Sequence, residues 1–196
     1  MTNPDTVASV LSSEDAAAGP VARWGVARRR ERAARDEEFT VFVASAAPRL
    51  RRIAYLMCRD WHLAQDLTQI TFAKMYASWG RIWRTANLDA YSRRVLLHVV
   101  FDQKKRRSDS EVVLADLPDP GAGGPVGTTE LHVALMGALA TLPVRDQAIV
   151  VLRHWEDQSV DTVAEILGVS VSVVKMQSAR ALIRLRTVLG EDFILS

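Results

Sequence analysis

Apolar residues recur at helical spacing from Phe39 onward: Phe39, Val43, Ala46, Leu50, Ile53 and Met57 mark one side of a helix. Pro48 falls inside that run and predicts a kink or a break into two pieces, because proline has no amide hydrogen and crowds the preceding turn. Asp60 stands where it can cap a second helix, on which Trp61, Ala64, Phe72, Met75 and Trp79 share one face. Asp66 and Gln69 lie on another face of that helix and leave it polar, available to a partner. A third helix is predicted from about Leu88 to Arg107, capped by Asn87, with Tyr91, Val95 and Val99 on one side and Arg93, Arg94, Phe101 and Lys104 opposite. Residues 108–129, SDSEVVLADLPDPGAGGPVGTT, lose the period, are rich in proline and glycine, and carry Asp109, Glu111, Asp116 and Asp119 without a base. Such a stretch predicts a flexible acidic linker. Beyond it Leu131, Leu135, Leu139 and Leu142 form a new stripe, and Pro143 restarts the pattern toward Ile149, Val150 and Leu152. No strand-like alternation lasts long enough to build a sheet, and no internal repeat appears, so the prediction is all-α: two small helical domains joined by the linker.

The stretch DTVAEILGVSVSVVKMQSARALIRLR carries the most specific local signal. Val163, Ala164, Ile166 and Leu167 make a short apolar helix; Gly168 can take the positive φ that ends it, and Ser170 can cap the next. On that next helix Val174, Ser178, Ala181, Leu182 and Leu185 form the inner stripe, which turns Ser172, Lys175, Met176, Ala179 and Arg180 outward. Glu156, Asp157, Asp161 and Glu165 are expected around the first helix, so positive charge is segregated toward the second. A glycine turn between two capped helices, with small residues at the centre of an outer face and bases at its edges, is the pattern of a helix-turn-helix whose second helix enters a major groove. Lys175 and Arg180 can then reach phosphates or guanine edges.

Charge adds to this picture more through its blocks than through its sum. The formal net charge is only +2, yet Arg23, Arg28, Arg29, Arg30, Arg32 and Arg35 cluster near the amino terminus, and Lys104, Lys105, Arg106 and Arg107 close the third helix. Residues 1–37 hold few large apolar side chains and are expected to be a mostly disordered basic arm, with a transient helix over RWGVARRRERAAR; 191–196 are a short tail. No run approaches the length of a membrane span, and the amino terminus lacks the pattern of a secretory signal, which predicts a cytoplasmic protein without membrane insertion. The lone Cys58 excludes an internal disulfide and suits a reducing compartment. Cys58 with His62 is the one helical pair with metal-ligand chemistry, too little for a site, and GAGGPVG lacks the lysine of a phosphate loop. No cofactor, metal or enzymatic activity is therefore expected.

In its order of motifs the chain resembles the extracytoplasmic-function group of bacterial sigma-70-family factors. ATLPVRDQAIVVLRHWEDQSVDTVAEILGVSVSVVKMQSARALIRLR is similar to their region four, RRIAYLMCRDWHLAQDLTQITFAKMYASW to the region two helix that grips polymerase, and DAYSRRVLLHVVFDQKKRR to the helix that reads the minus-ten element. The resemblance covers residues 38–190, with region two at 38–107, the linker at 108–129 and region four at 130–190. It implies an alternative sigma factor that binds core RNA polymerase through the β′ and β subunits, recognises minus-thirty-five and minus-ten promoter elements and helps melt DNA. Carried over by motif, Asp66 and Gln69 contact the β′ coiled coil; Trp83 and Asn87, in the loop GRIWRTANL and its edge, lie where a flipped base is captured; Arg93, Arg94, His98, Lys104 and Lys105 line the minus-ten DNA. Ser172, Lys175, Met176, Ala179 and Arg180 face the minus-thirty-five element. An anti-sigma factor is a further partner the family implies, and the acidic linker would occupy basic polymerase channels.

Departures from the family pattern fall on the reading residues. His98 stands where asparagine is common, and Ser172, Val173 and Met176 replace the glycine, threonine and serine of the usual GTVKS. Val173 loses a hydroxyl contact to phosphate, and Met176 favours a thymine methyl over hydrogen bonding, so the promoter sequence is not transferable. A stand-alone helix-turn-helix regulator would account for the carboxy-terminal helices but leaves residues 38–107 without a role. An anti-sigma or adaptor protein would leave the two basic elements unexplained.

Overall fold

Pro20 opens the first helix, α1 (Pro20–Cys58), at the position where its missing amide hydrogen costs nothing. The computed structural model of the chain describes residues 20–82, 87–109 and 130–190. The helices that follow are α2 (Trp61–Ile82), α3 (Leu88–Asp109), α4 (Glu130–Ala140), α5 (Val144–Val150), α6 (Val160–Leu167) and α7 (Val171–Leu189), with one π-helical turn over Val151–Trp155. The described residues up to Phe42 form one compact unit and those from Val43 another, so α2–α7 lie within a single unit.

Two expectations change in α1. The arm expected to be disordered through residue 37 is helical from Pro20, consistent with its alanine, arginine and glutamate, which lose little freedom in a helix. Pro48 does not break the helix. It and Ala44 are both exposed, so the carbonyl deprived of its partner can be hydrated, while Ala46, Leu50 and Ile53 are buried and hold the turn by packing.

The expected caps form. Asp60 Oδ1 accepts from the Leu63 amide at 2.9 Å at the start of α2, and Asn87 Oδ1 accepts from Ala90 at 2.9 Å at the start of α3. On α2, Leu67, Met75 and Trp79 point inward with the buried hydroxyls of Thr68 and Thr71, which donate to the carbonyls of Ala64 and Leu67 and so cost little to bury. Leu50, Ile53 and Met57 of α1 and Leu96, Leu97 and Val100 of α3 are also fully buried. In the carboxy-terminal half, Ile149, Leu152, Ile166, Val174, Ala181 and Leu185 are among the buried apolar residues.

Gly168 takes φ 65° and ψ 39°, and the Val169 amide reaches back to Ala164 O at 3.0 Å, closing α6 with a left-handed cap. Ser170 Oγ then accepts from Val173 N, and α6 and α7 meet at 104°. A methyl added at Gly168 would meet nothing within 4 Å, so Gly168→Ala isolates the backbone cost, about 1–2 kcal/mol. Thermal unfolding of the full chain should show a Tm lower by several degrees, with Gly168→Asn in between. An unchanged Tm for the alanine variant would mean that the turn does not need its left-handed residue.

Candidate nucleic-acid interface

α7 turns Val174, Ala181 and Leu185 inward, and the helical period places Ser172, Lys175, Met176, Ala179 and Arg180 on its exposed outer face, as the sequence pattern predicts. The Ser172 hydroxyl lies 2.9 Å from that of Ser170, which ties it to the helix start. Met176 and Ile183 add exposed apolar surface to the same helix. Arg180 is not wholly at liberty: its Nη2 lies 3.8 Å from Oδ2 of Asp146 on α5, a carboxylate only 2% exposed whose Oδ2 makes no hydrogen bond among the described residues. Asp146 therefore anchors one of the outward bases from below, a role the sequence did not suggest.

α3 divides the bases expected to line DNA. His98 and Lys105 are exposed. Arg93, expected on an open basic face, is buried instead: its Nη2 and Nε donate to Glu156 Oε2 at 3.0 and 3.2 Å. Arg94 donates to the carbonyls of Ile166, at 3.3 Å, and of Glu165. Lys104 Nζ donates to Gln147 Oε1 at 2.8 Å, and burial holds its ammonium below the usual lysine range. The face of α3 opposite Tyr91 and Val99 is thus covered by the carboxy-terminal half of the same chain.

Glu156 and Asp157 do not belong to the first helix of the helix-turn-helix, where the charge pattern put them. They form the turn before it, in which the Glu156 amide closes on Val151 O at 3.0 Å and Asp157 takes φ 49°. That turn aims Glu156 at Arg93, with Arg49 Nε 3.8 Å away and Arg49 Nη2 2.5 Å from Asp89 Oδ1. The hydrogen bond from Arg49 holds the Asp89 carboxyl below its ordinary range. Gln147, 1% exposed, completes the seam by donating to Leu56 O at 2.8 Å.

On α2, Asp66 and Gln69 are exposed, and Ile70 and Tyr76 continue the same face. Asn87 is exposed and serves as the cap of α3. Trp83 lies outside the described residues, as do the linker from 110 to 129 and the tail from 191. Burial pushes the Cys58 thiol up, His62 is exposed, and among the described residues no group of three metal-binding side chains gathers.

Sequence comparison adds to this geometry. The family description Sigma-70 region 2 matches residues 42–109, ending where α3 ends, and Sigma-70, region 4 matches residues 132–185, from α4 into α7. The chain is 36% identical over 152 residues to the RNA polymerase sigma-E factor of Streptomyces avermitilis, spanning 76% of this chain and 83% of that protein. The chain belongs to the extracytoplasmic-function group of the sigma-70 family. As an alternative sigma factor it directs promoter-specific transcription initiation.

The ECF RNA polymerase sigma factor SigE of Mycolicibacterium smegmatis is a more distant relative of this sigma factor, 28% identical over 158 residues that span 76% of this chain and 60% of that one. Among solved structures, the sigma factor RpoE in complex with the anti-sigma factor NepR from Bartonella quintana shares the fold, with a TM-score of 0.66 and 24% identity over 78% of this chain and 97% of that one. CnrH in complex with the cytosolic domain of CnrY does so at a TM-score of 0.60 and 20% identity.

Proposed function

We propose that this sigma factor reads the minus-thirty-five element with the outer face of α7 and the minus-ten element with α3 and its preceding loop, and grips core RNA polymerase with the exposed face of α2. The observation that carries the reading is the α6–α7 pair: two capped helices at 104°, joined at a left-handed glycine, that present Lys175, Met176, Ala179 and Arg180 outward. A helix so presented fits a major groove, where Lys175 and Arg180 supply charge to phosphates or guanine edges and Met176 supplies apolar contact. His98 and Lys105 are the exposed contributions of α3, with Arg93, Arg94 and Lys104 joining them when α3 is uncovered. Asp66 and Gln69 are assigned to the β′ coiled coil, and Trp83 and Asn87 to the flipped base.

In this reading the protein is a cytoplasmic initiation factor without catalytic residues or cofactor, and its partners are core polymerase, promoter DNA and an anti-sigma factor of the kind bound by RpoE and CnrH. No single described helix is long and apolar enough to cross a membrane. The test is transcription in vitro: purified core polymerase with and without the protein on a fragmented library of the source genome, with transcript starts sequenced. Discrete new starts that share spaced upstream motifs are expected. Absence of both new starts and core binding would instead favour a stand-alone DNA-binding protein.

A further inference from the structure

The arginine block of α1 is left over when α2, α3 and α7 have been given their roles. Residues 28–38, RRRERAARDEE, lie on that helix and carry Arg28, Arg29, Arg30, Arg32 and Arg35 against a single acid, Glu31, before Asp36, Glu37 and Glu38 reverse the sign. At about 100° per residue, Arg28, Arg29, Arg32 and Arg35 fall within about a third of the helix circumference. Arg28, Arg29 and Arg32 are exposed and make no ion pair among the described residues, while Arg35 is half-buried and its Nε donates to Glu31 O at 3.3 Å. Arg32 has Arg28, Arg29 and Arg35 three or four positions away, the spacings at which like charges destabilise a helix. The stripe therefore works against the helix that carries it, and a negative surface laid along it would relieve the repulsion. All five bases are arginine, whose planar fork matches phosphate oxygens two at a time.

We infer that Arg28, Arg29 and Arg32 on α1 form a third nucleic-acid contact, which holds the phosphate backbone of duplex DNA without regard to sequence. The inference goes beyond the promoter-reading faces of α3 and α7, which belong to the other compact unit of the chain. What the stretch lacks selects the partner. From Arg28 to Glu38 no apolar residue is larger than Ala33 or Ala34, so the helix has neither the apolar face that an anionic membrane surface requires nor the aromatic or aliphatic anchors on which protein interfaces depend. The same stretch holds no aromatic ring on which an unpaired base could stack, which favours a duplex over a single strand. A regular row of guanidinium groups facing a regular row of phosphates is the match that remains, and a protein that directs initiation at promoters works on duplex DNA. Such a contact fixes position and adds affinity while leaving the choice of promoter to base-reading residues elsewhere.

The experiment measures binding of the full chain to a fluorescent mixed-sequence duplex across a series of salt concentrations. It compares wild type, the triple variant Arg28→Gln, Arg29→Gln, Arg32→Gln, the matching triple lysine variant, and Arg52→Gln, which removes one charge from an exposed position farther along the same helix. Each lost phosphate contact flattens the plot of log affinity against log salt by about 0.9, so the glutamine triple should lower the slope by about 2.7 and the affinity by tenfold or more at moderate salt. The lysine triple should keep the slope and Arg52→Gln should change it little. With core polymerase added, affinity for a promoter fragment and for a scrambled one should fall by the same factor in the glutamine triple. Far-ultraviolet circular dichroism should show the helix content unchanged, since glutamine is a good helix former and the repulsion is gone; should the triple fail to fold, Arg32→Gln alone is read for a slope lower by about 0.9. An unchanged slope in a folded variant would overturn the inference. So would an unchanged slope accompanied by loss of capture by core polymerase, or of binding to anionic lipid vesicles, either of which would give the stripe to that partner instead. Because the mixed-sequence duplex contains no promoter, the result stands apart from the assignments to α3 and α7, which the sequenced transcript starts test.

Discussion

Lys175→Ala combined with Arg180→Ala should reduce promoter-specific transcription about a hundredfold, since each lost contact to a base edge or phosphate is worth about 1–3 kcal/mol. Binding to core polymerase should stay the same, because both residues lie on the outer face of α7. The two substitutions are not equivalent, however. Lys175 is exposed, and among the described residues it has no ion pair, so its removal should cost DNA binding and nothing else. Arg180 also lies 3.8 Å from Asp146, whose carboxylate is buried; without that neighbour a charge remains in the interior with no compensation. A left-over buried polar group costs about 1–3 kcal/mol, and the pair is long and Arg180 is 51% exposed, so the lower end applies. Arg180→Ala should therefore lower the Tm as well as transcription, whereas Lys175→Ala lowers transcription alone. Adding Asp146→Asn to Arg180→Ala should recover most of the Tm and none of the transcription. If it restores both, Arg180 acts by holding the domain together and does not read DNA.

How well the sequence foretold each element depended on how far its determinants lie apart in the chain. The helix-turn-helix was legible because its signals are local: Gly168 and Ser170 stand side by side, and Val174, Ala181 and Leu185 repeat with the helical period. Asp60 and Asn87 were legible as caps for the same reason. Of the kink or break expected at Pro48, the break does not occur, because burial of Leu50 and Ile53 in the next turns holds the helix together. The basic face of α3 was assigned correctly to one side of a helix, but periodicity does not say what covers that side. Glu156 is distant in sequence from Arg93 and reaches it through a π-helical turn and a left-handed Asp157, neither of which has a periodic signature. Asp146 and Gln147 were missed in the same way: both are buried polar residues of α5, and their partners come from other helices.

Asp66→Arg should abolish capture of core polymerase, with affinity down about thirtyfold or more, as expected when a central polar contact becomes a repulsive one. The physical case lies in the composition of the exposed face of α2. Ala64, Leu67, Met75 and Trp79 are buried on one side; Asp66, Gln69, Ile70, Ala73, Tyr76 and Ala77 are exposed and fall within about a third of the helix circumference on the other. Small residues at the middle of that strip allow another helix to approach closely, Ile70 and Tyr76 offer apolar area, and Asp66 with Gln69 sets polarity and register. Asp66 makes no hydrogen bond or ion pair among the described residues, so its reversal should leave the Tm and the helix content unchanged. Gln69→Ala should act in the same direction but more weakly, since it removes hydrogen bonds without adding a repulsive charge. Competition of labelled wild-type protein against each variant for immobilised core polymerase measures both effects on one scale. Full affinity in a folded Asp66→Arg protein would remove α2 from the polymerase interface and move the search to the exposed residues of α1. A selective loss would mean that the strip on α2 holds polymerase while α3, packed on its other side, is left to take DNA.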